Sequence, residues 1–92
     1  MELTGTIKRI FDEKHVSERF NTREFILTTD EESQYPQHIS LQLVNAKCDL
    51  VIGLKPGDRV ACEIKVKGRE WNGPQGVKYF NTLEVQDIDK IG

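Results

Sequence analysis

Apolar and polar residues alternate most clearly between residues 60 and 67 of this chain. Every second position there is apolar, at Val60, Cys62, Ile64 and Val66. This period of two is typical of a β-strand with one buried face. Three glycines and a proline follow between residues 68 and 76, and they predict a loop. Alternation resumes near Val77, so the stretch from 58 to 88 is predicted to be a long hairpin with an irregular tip.

Three further strands are predicted upstream, over residues 3–11, 23–30 and 37–44. Gly5 indicates a bend in the first of them, because a glycine inside a strand often accompanies a bulge. Residues 12–22 are polar, have no clear period and predict a long loop. The inward positions of the second and third strands are apolar, namely Phe25, Leu27, Ile39, Leu41 and Leu43.

A short helix is predicted over residues 46–52, with Asn45 as its N-cap and Gly53 at its end. Pro56 and Gly57 then occupy the second and third positions of a type II turn. The order is therefore three strands, a helix and two strands. This is the order of the OB-fold, a five-stranded Greek-key barrel with one short helix between its third and fourth strands. The expected architecture is all-β, with a single OB-fold domain over residues 1–92.

The composition is that of a small globular protein. Of the 92 residues, 37% are hydrophobic and 30% charged, and no apolar run is long enough to span a membrane. No basic segment followed by an apolar one opens the sequence, so a cytoplasmic location is expected. Cys48 and Cys62 lack ligand-like spacing and predict reduced thiols without a metal. No cofactor is expected. Neither His15 nor His38 adjoins a nucleophile pattern, so we expect no enzyme activity.

The predicted hairpin carries the chemistry of a site for single-stranded nucleic acid. Five cations and two carboxylates lie between residues 59 and 79, in a chain whose net charge is -2. Aromatic rings beside cations can stack on bases and hold phosphates. The residues expected to bind are Trp71, Phe80, Arg69, Lys65, Lys67 and Lys78. For any single lysine, ordinary solvation of a strand face is the simpler interpretation.

The sequence leaves the orientation of the aromatic side chains of the hairpin open. Trp71 either offers its face to a base or folds back as a lid over the barrel end. The strand register places Tyr79 on the core face and Phe80 on the outer face, whereas a bulge would reverse them.

The long first loop is a second place where a ligand is expected. In an OB-fold the ligand crosses the second and third strands, between the first-to-second and fourth-to-fifth loops. Phe20 in the first loop either stacks on a second base or packs against the end of the barrel. Arg19 and Arg23 flank this loop and are expected to close the groove from its far side.

Several blocks of the sequence resemble an uncharacterised family of short bacterial proteins that is related to single-stranded DNA-binding protein. The most specific blocks are Gly-Arg-Glu-Trp-Asn-Gly from Gly68 and Tyr-Phe-Asn-Thr-Leu-Glu from Tyr79. Matching blocks also begin at Met1, Arg23, Tyr35 and Leu54, so the resemblance covers nearly the whole chain. It implies an OB-fold. The function of that family is itself inferred from the fold, so the resemblance implies architecture more firmly than activity.

We therefore expect a non-enzymatic module that binds single-stranded DNA with weak sequence preference, although the sequence does not distinguish DNA from RNA. One isolated barrel should bind modestly, so a homodimer or homotetramer is expected to add affinity through multivalency. The alternative is a protein-interaction module that uses the same loop around Trp71, since Trp, Tyr and Arg are also enriched at protein interfaces. An oligosaccharide or small-ligand site on the same face is a third possibility. No membrane partner is expected.

Overall fold

The computed structural model describes all residues, 1–92, as six β-strands and one short helix. The strands are β1 (Glu2–Ile10), β2 (Lys14–Ser17), β3 (Phe20–Thr29), β4 (Gln37–Val44), β5 (Arg59–Gly73) and β6 (Gly76–Lys90). A 3-10 helix (Asn45–Val51) connects β4 to β5. This helix is neither long nor apolar enough to cross a membrane.

Five of the strands close into a barrel. The first half of β1 pairs with β5 and its second half pairs with β3, so β1 joins the two ends of the sheet. The order continues from β5 through β6 and β4 to β3, and β2 adds a short edge strand beside β3. β4 and β6 are parallel and pair at Gln42 and Glu84, whereas all other pairs are antiparallel. The predicted five-stranded OB-fold barrel, with its helix between the third and fourth barrel strands, is confirmed.

Apolar side chains from alternate strand positions fill the barrel. Phe25, Leu27, Leu41 and Leu43 are fully buried, as the alternation predicts. The rest of the core is formed by Ile7, Cys48, Val51, Val60, Cys62, Ile64 and Val85. Val66 is predicted to face the core, but it is 55% exposed because it lies on β5 beyond the barrel.

Gly5 allows β1 to pass close to β3. A Cβ atom at this position would overlap the carbonyl oxygen of Thr28, so a side chain does not fit there. The pairing of β1 with β3 then shifts between Ile7 and Arg9, which leaves Lys8 as a bulge. The irregularity predicted for this strand is present as the bulge at Lys8, three residues after Gly5, and β1 pairs with both β5 and β3.

The predicted loop over residues 12–22 is wrong, because β2 lies within it and forms a hairpin with the start of β3. β3 accordingly begins at Phe20 instead of Arg23. His15 pairs with Asn21, and its Nδ1 lies 2.8 Å from the Oδ1 of Asn21. All four residues of β2 are exposed. A strand without a buried face needs no apolar alternation, so periodicity does not reveal it.

The helix forms in the predicted place, but as a 3-10 helix and without the predicted cap. Asn45 is its first residue, has a φ of 52° and makes no side-chain cap bond. The Oδ1 of Asn45 instead accepts a hydrogen bond from the backbone N–H of Asn21 at 3.0 Å, which ties the helix to β3. The predicted type II turn is confirmed: Gly57 has a φ of 101°, and the N–H of Asp58 donates to the carbonyl of Lys55 at 3.1 Å.

β5 and β6 continue as a regular ladder past the barrel. Pairing runs without a break from Ile64 and Val85 to Gly73 and Gly76, so the predicted irregular tip is wrong. Pro74 lies in the two-residue turn, where the ladder needs no N–H donor. We call residues 65–84 the arm. Apart from the pair between Glu84 and β4, the two strands of the arm pair only with each other.

Candidate nucleic-acid interface

The two faces of the arm differ in chemistry. Side chains alternate along each strand, and directly paired residues share a face. One face, here called the cationic face, is formed by Lys65, Lys67, Arg69, Trp71, Lys78, Phe80, Thr82 and Glu84. Its four cations and one carboxylate give a net charge of +3. The ladder therefore collects on one surface all six residues predicted for the hairpin site.

Aromatic rings and cations are paired across the two strands of this face. Arg69 lies directly opposite Phe80, and Trp71 lies directly opposite Lys78. Trp71 is 44% exposed and Phe80 is 48% exposed, so both rings are accessible. Phe80 faces outward as the register predicts, because the ladder has no bulge between Val85 and the tip.

The opposite face of the arm is nearly uncharged. It carries Val66, Val77 and Tyr79. Glu70 is its one charged side chain. Tyr79 lies on the side of the core-facing residues, as predicted, but it is 73% exposed. The interpretation of Tyr79 as a core residue is therefore wrong. The arm has left the barrel at this point, and its inner face covers no core.

Trp71 packs against its own strand. A Cβ atom on Gly73 would overlap the six-membered ring of the indole. The two positions are separated by one residue in a strand and so share a face. The missing side chain of Gly73 makes room for the ring, which lies along the arm.

One cation of this face already has a partner within the chain. The Nζ of Lys67 lies 2.9 Å from the Oε2 of Glu84, whose side chain is only 15% exposed. Lys65, Arg69 and Lys78 form no ion pair. These three cations are therefore the ones most available to an anionic ligand.

A groove of about 890 Å³ lies beside the arm. Its lining comes from the segment after β1, from the start of β2, from β3 and β4, and from the half of the arm next to the barrel. The lining residues are Phe11, Asp12, Lys14, Thr22, Arg23, Glu24, His38, Ile39, Ser40, Gln42, Val66, Asn81, Thr82 and Leu83. The two cations of the lining, Lys14 and Arg23, balance its two carboxylates, Asp12 and Glu24, so its net charge is zero. The groove is therefore polar and neutral, in contrast to the cationic face.

Among the predicted site residues, only Arg23 lines this groove. Its Nε donates a hydrogen bond to the carbonyl of Phe11 at 2.9 Å, so it also holds the end of β1 in place. Arg19 and Phe20 belong to the hairpin of β2 and β3, and neither lines the groove. Arg19 instead borders a separate depression beside the 3-10 helix.

Sequence reasoning missed Phe11 as a site residue. The guanidinium carbon of Arg9 lies 4.6 Å from the centroid of the Phe11 ring, a distance typical of a cation–π contact. Phe11 also lines the groove. The spacing of two between Arg9 and Phe11 was the available signal, since it places both side chains on one face of a strand.

Hydrogen bonds orient polar side chains on the outer surface of β3 and β4. The hydroxyl of Ser40 donates to the Oε2 of Glu24. Glu24 lies directly opposite Gln42 in the ladder. Nδ1 of His38 lies 2.9 Å from Oγ1 of Thr28, farther along the same strand pair.

The two thiols are not placed for chemistry. Cys62 is fully buried, and burial raises the pKa of its thiol to about 11. The pKa of Cys48 is also raised, first by burial and then by the nearby charges of Glu13 and Asp49. Since the thiolate is the reactive form, neither is activated as a nucleophile. No group of three or more His, Cys, Asp or Glu side chains is arranged to hold a metal ion.

Solved structures with the same fold include three kinds of protein. The mitochondrial single-stranded DNA binding protein Rim1 from S. cerevisiae aligns with a TM-score of 0.74 at 16% identity, over 99% of this chain and 92% of that chain. The single-stranded DNA binding protein from Thermus aquaticus aligns with a TM-score of 0.72 at 20% identity, over 99% of this chain but only 48% of that chain. The dimeric N-terminal domain of PriB from Thermoanaerobacter tencongensis aligns with a TM-score of 0.69 at 21% identity, over 100% and 94%. At these identities the likeness establishes the fold.

Sequence comparison gives the family. A search of curated proteins finds no significant match. A family profile matches residues 2–89, nearly the whole chain. The chain therefore belongs to the family described as Domain of unknown function (DUF3127).

Proposed function

We propose that this chain binds single-stranded nucleic acid, with DNA as the first candidate, and that it acts without catalysis. The observation that carries the proposal is the cationic face of the arm, where Arg69 pairs with Phe80 beside Trp71 and Lys78. Exposed aromatic rings stack on bases, and neighbouring cations hold phosphates. Both features occur here on a single accessible surface of net charge +3, within a chain whose total charge is -2.

In this proposal the bound strand passes around the edge of the arm, from the cationic face to the groove. Of the arm residues that line the groove, Thr82 lies on the cationic face and Val66, Asn81 and Leu83 lie on the opposite face. The cationic face takes phosphates through Lys65, Arg69 and Lys78, while the neutral groove takes bases. Arg23 lies at the groove, and Arg19 and Phe20 extend the path along the hairpin of β2 and β3. Two of the proteins that share this fold are named as single-stranded DNA binding proteins, which supports the proposal.

We further propose that the chain acts as a homodimer or homotetramer. A single barrel offers one arm and one groove, and linked copies would raise the affinity for a long strand by multivalency. The dimeric PriB domain of the same fold supports this. Light scattering of the purified chain tests it: a mass of one chain at micromolar concentration contradicts it.

The proposed function is tested by the fluorescence of Trp71, the only tryptophan. Titration with a dT oligonucleotide at low salt should quench it saturably, and moderate salt should reverse the quenching. Binding of a labelled oligonucleotide, followed by anisotropy, should weaken by about 1–3 kcal/mol in Trp71→Ala. Tyr79→Ala is the matched control, because it removes an exposed ring that lies neither on the cationic face nor among the residues that line the groove. No binding at low salt contradicts the proposal.

A protein partner is the second candidate. The observation in its favour is the nearly uncharged face of the arm, where Val66 is 55%, Val77 49% and Tyr79 73% exposed. Exposed apolar side chains that share one face are typical of a surface that another protein covers. Salt separates the two candidates, because a packed apolar interface weakens little with added salt, whereas phosphate contacts weaken sharply. Tyr79→Ala should then disrupt the complex and Lys65→Ala should not.

A further inference from the structure

The groove beside the arm brings together an aromatic ring, a carboxylate and a carboxamide. Phe11, Glu24 and Gln42 all line it. They come from the segment that follows β1, from β3 and from β4, and the pairing of β3 with both neighbours brings them together: the N–H of Phe11 donates to the carbonyl of Glu24 at 3.0 Å, and Glu24 lies opposite Gln42. This set differs from the cationic face, and its chemistry is that of recognising one flat polar group rather than a phosphate chain.

Glu24 is oriented within the groove. The hydroxyl of Ser40, from the neighbouring strand, donates to its Oε2. No hydrogen bond or ion pair within the chain uses the other oxygen, Oε1. A carboxylate accepts up to about four hydrogen bonds, so this group still offers acceptors on both oxygens. Its negative charge repels phosphate and favours a ligand edge that carries N–H donors.

Gln42 extends the pattern with a donor. It lies directly opposite Glu24 in the antiparallel ladder. Directly opposed residues have Cβ atoms about 4.5–5.5 Å apart, so the two polar groups can reach one planar ligand. Together they offer carboxylate acceptors beside an amide N–H₂ donor.

Guanine is the base whose Watson–Crick edge is complementary to carboxylate acceptors beside an amide donor. Its N1–H and N2–H₂ are adjacent donors for the two carboxylate oxygens, and its O6 accepts from an amide N–H. Adenine and cytosine each present one amino donor beside a ring nitrogen acceptor, which would face the carboxylate. Thymine presents a single N–H between two carbonyl oxygens, which the carboxylate would also repel.

Phe11 supplies a surface on which a base can stack. Its ring lines the same groove and is in cation–π contact with Arg9 at 4.6 Å. Unstacked bases of single strands are recognised by stacking on aromatic rings together with hydrogen bonds to their Watson–Crick edges. We propose that the groove binds one unstacked guanine, with Phe11 as the stacking surface and with Glu24 and Gln42 as the readers of its edge. This inference rests on the proposed binding of single strands.

The test compares three labelled nine-nucleotide strands by fluorescence anisotropy, so that the readout does not depend on Trp71. They are dT9, the same strand with a central guanosine, and the same strand with a central inosine, which lacks the N2 amino group. We expect the guanosine strand to bind about tenfold more tightly than dT9, with inosine in between. In Glu24→Gln this preference should disappear. Glu18→Gln, which removes an exposed carboxylate outside the groove, should leave the preference intact.

Three outcomes overturn the inference. If dT9 and the guanosine strand bind equally well to the natural chain, the groove reads no guanine, while the proposed function stands. If Glu24→Gln and Glu18→Gln tighten all three strands by the same factor, Glu24 acts only through its charge. If none of the strands binds at low salt, the proposed function fails and the inference fails with it.

Discussion

Lys67 and Glu84 form an ion pair of 2.9 Å on the cationic face of the arm. The pair occupies a cation that would otherwise be open to phosphate. For single strands, each phosphate contact adds about 0.7 to the steepness with which log affinity falls with log salt concentration. Lys65→Ala should therefore lower the slope by about 0.7, and Lys67→Ala should lower it by clearly less. Titration of an oligonucleotide at several KCl concentrations measures both slopes.

Glu84→Gln is the complementary change, since it releases Lys67 while keeping a side chain of similar size. The slope should then rise by up to about 0.7, and affinity at low salt should increase. Equal slopes for Lys65→Ala and Lys67→Ala would show that the ion pair does not protect Lys67 from the ligand.

Replacing Gly73 should move the indole of Trp71. An alanine Cβ would overlap the ring in its present position, so the ring has to rotate away from the strand. We expect a shift of the Trp71 emission maximum in Gly73→Ala and weaker binding of dT oligonucleotides. Gly68→Ala is the control, because a Cβ at that position meets only the Oδ1 of Asn81 at 3.5 Å. An unchanged emission spectrum in Gly73→Ala would contradict this packing.

Gly5→Ala should destabilise the barrel without affecting any ligand contact. A Cβ there overlaps the carbonyl oxygen of Thr28, and backbone of a neighbouring strand yields less easily than a side chain. We expect the free energy of unfolding to fall by about 1–3 kcal/mol in urea titrations. Gly68→Ala, also in a strand but in open surroundings, should change it by less than about 0.5 kcal/mol. Similar losses in the two variants would remove the special role of Gly5.

The buried thiol of Cys62 should make the fold less stable at alkaline pH. Burial raises its pKa from 9.0 to about 11 in the folded chain. Between these values the unfolded chain releases the proton while the folded chain keeps it, so the free energy of unfolding falls as pH rises. Below pH 9 this contribution to stability is complete.

Cys62→Ala isolates that contribution. The substitution lowers stability by a constant amount through lost packing, but it removes the ionisable group. Urea titrations at pH 8, 9, 10 and 11 should show a smaller fall for the variant than for the natural chain. Parallel curves would mean that Cys62 does not ionise on unfolding in this range.

Periodicity was enough to predict the barrel, because its signal comes from burial. Phe25, Leu27, Leu41 and Leu43 lie at the predicted inward positions, and the order of elements then selects the topology. Where burial is absent the prediction failed. The exposed strand β2 has no apolar face to reveal it. Gly68, Gly73 and Pro74 predicted a loop where the arm forms. Cross-strand pairing keeps these residues in a regular hairpin in spite of their turn propensity.

The candidate site was predictable only in part, for a related reason. Trp71, Phe80 and Arg69 lie within one hairpin. A local pattern was therefore enough to predict that they share a surface, because the register of the hairpin follows from the alternation. The groove depends on distant segments: Phe11, Gln42 and Asn81 meet only through the closed barrel. No spacing along the chain encodes that meeting.

The pairing of β4 with β6 through Gln42 and Glu84 alone gives the barrel one weak seam. Segments held by few hydrogen bonds open locally long before the whole domain unfolds, and their amide protons exchange with solvent faster. The groove spans this seam, with Gln42 on one side and Leu83 on the other. A ligand in the groove would therefore contact both strands and hold β4 and β6 together. Its binding should slow amide exchange at residues 40–43 and 82–85, far from the tip of the arm.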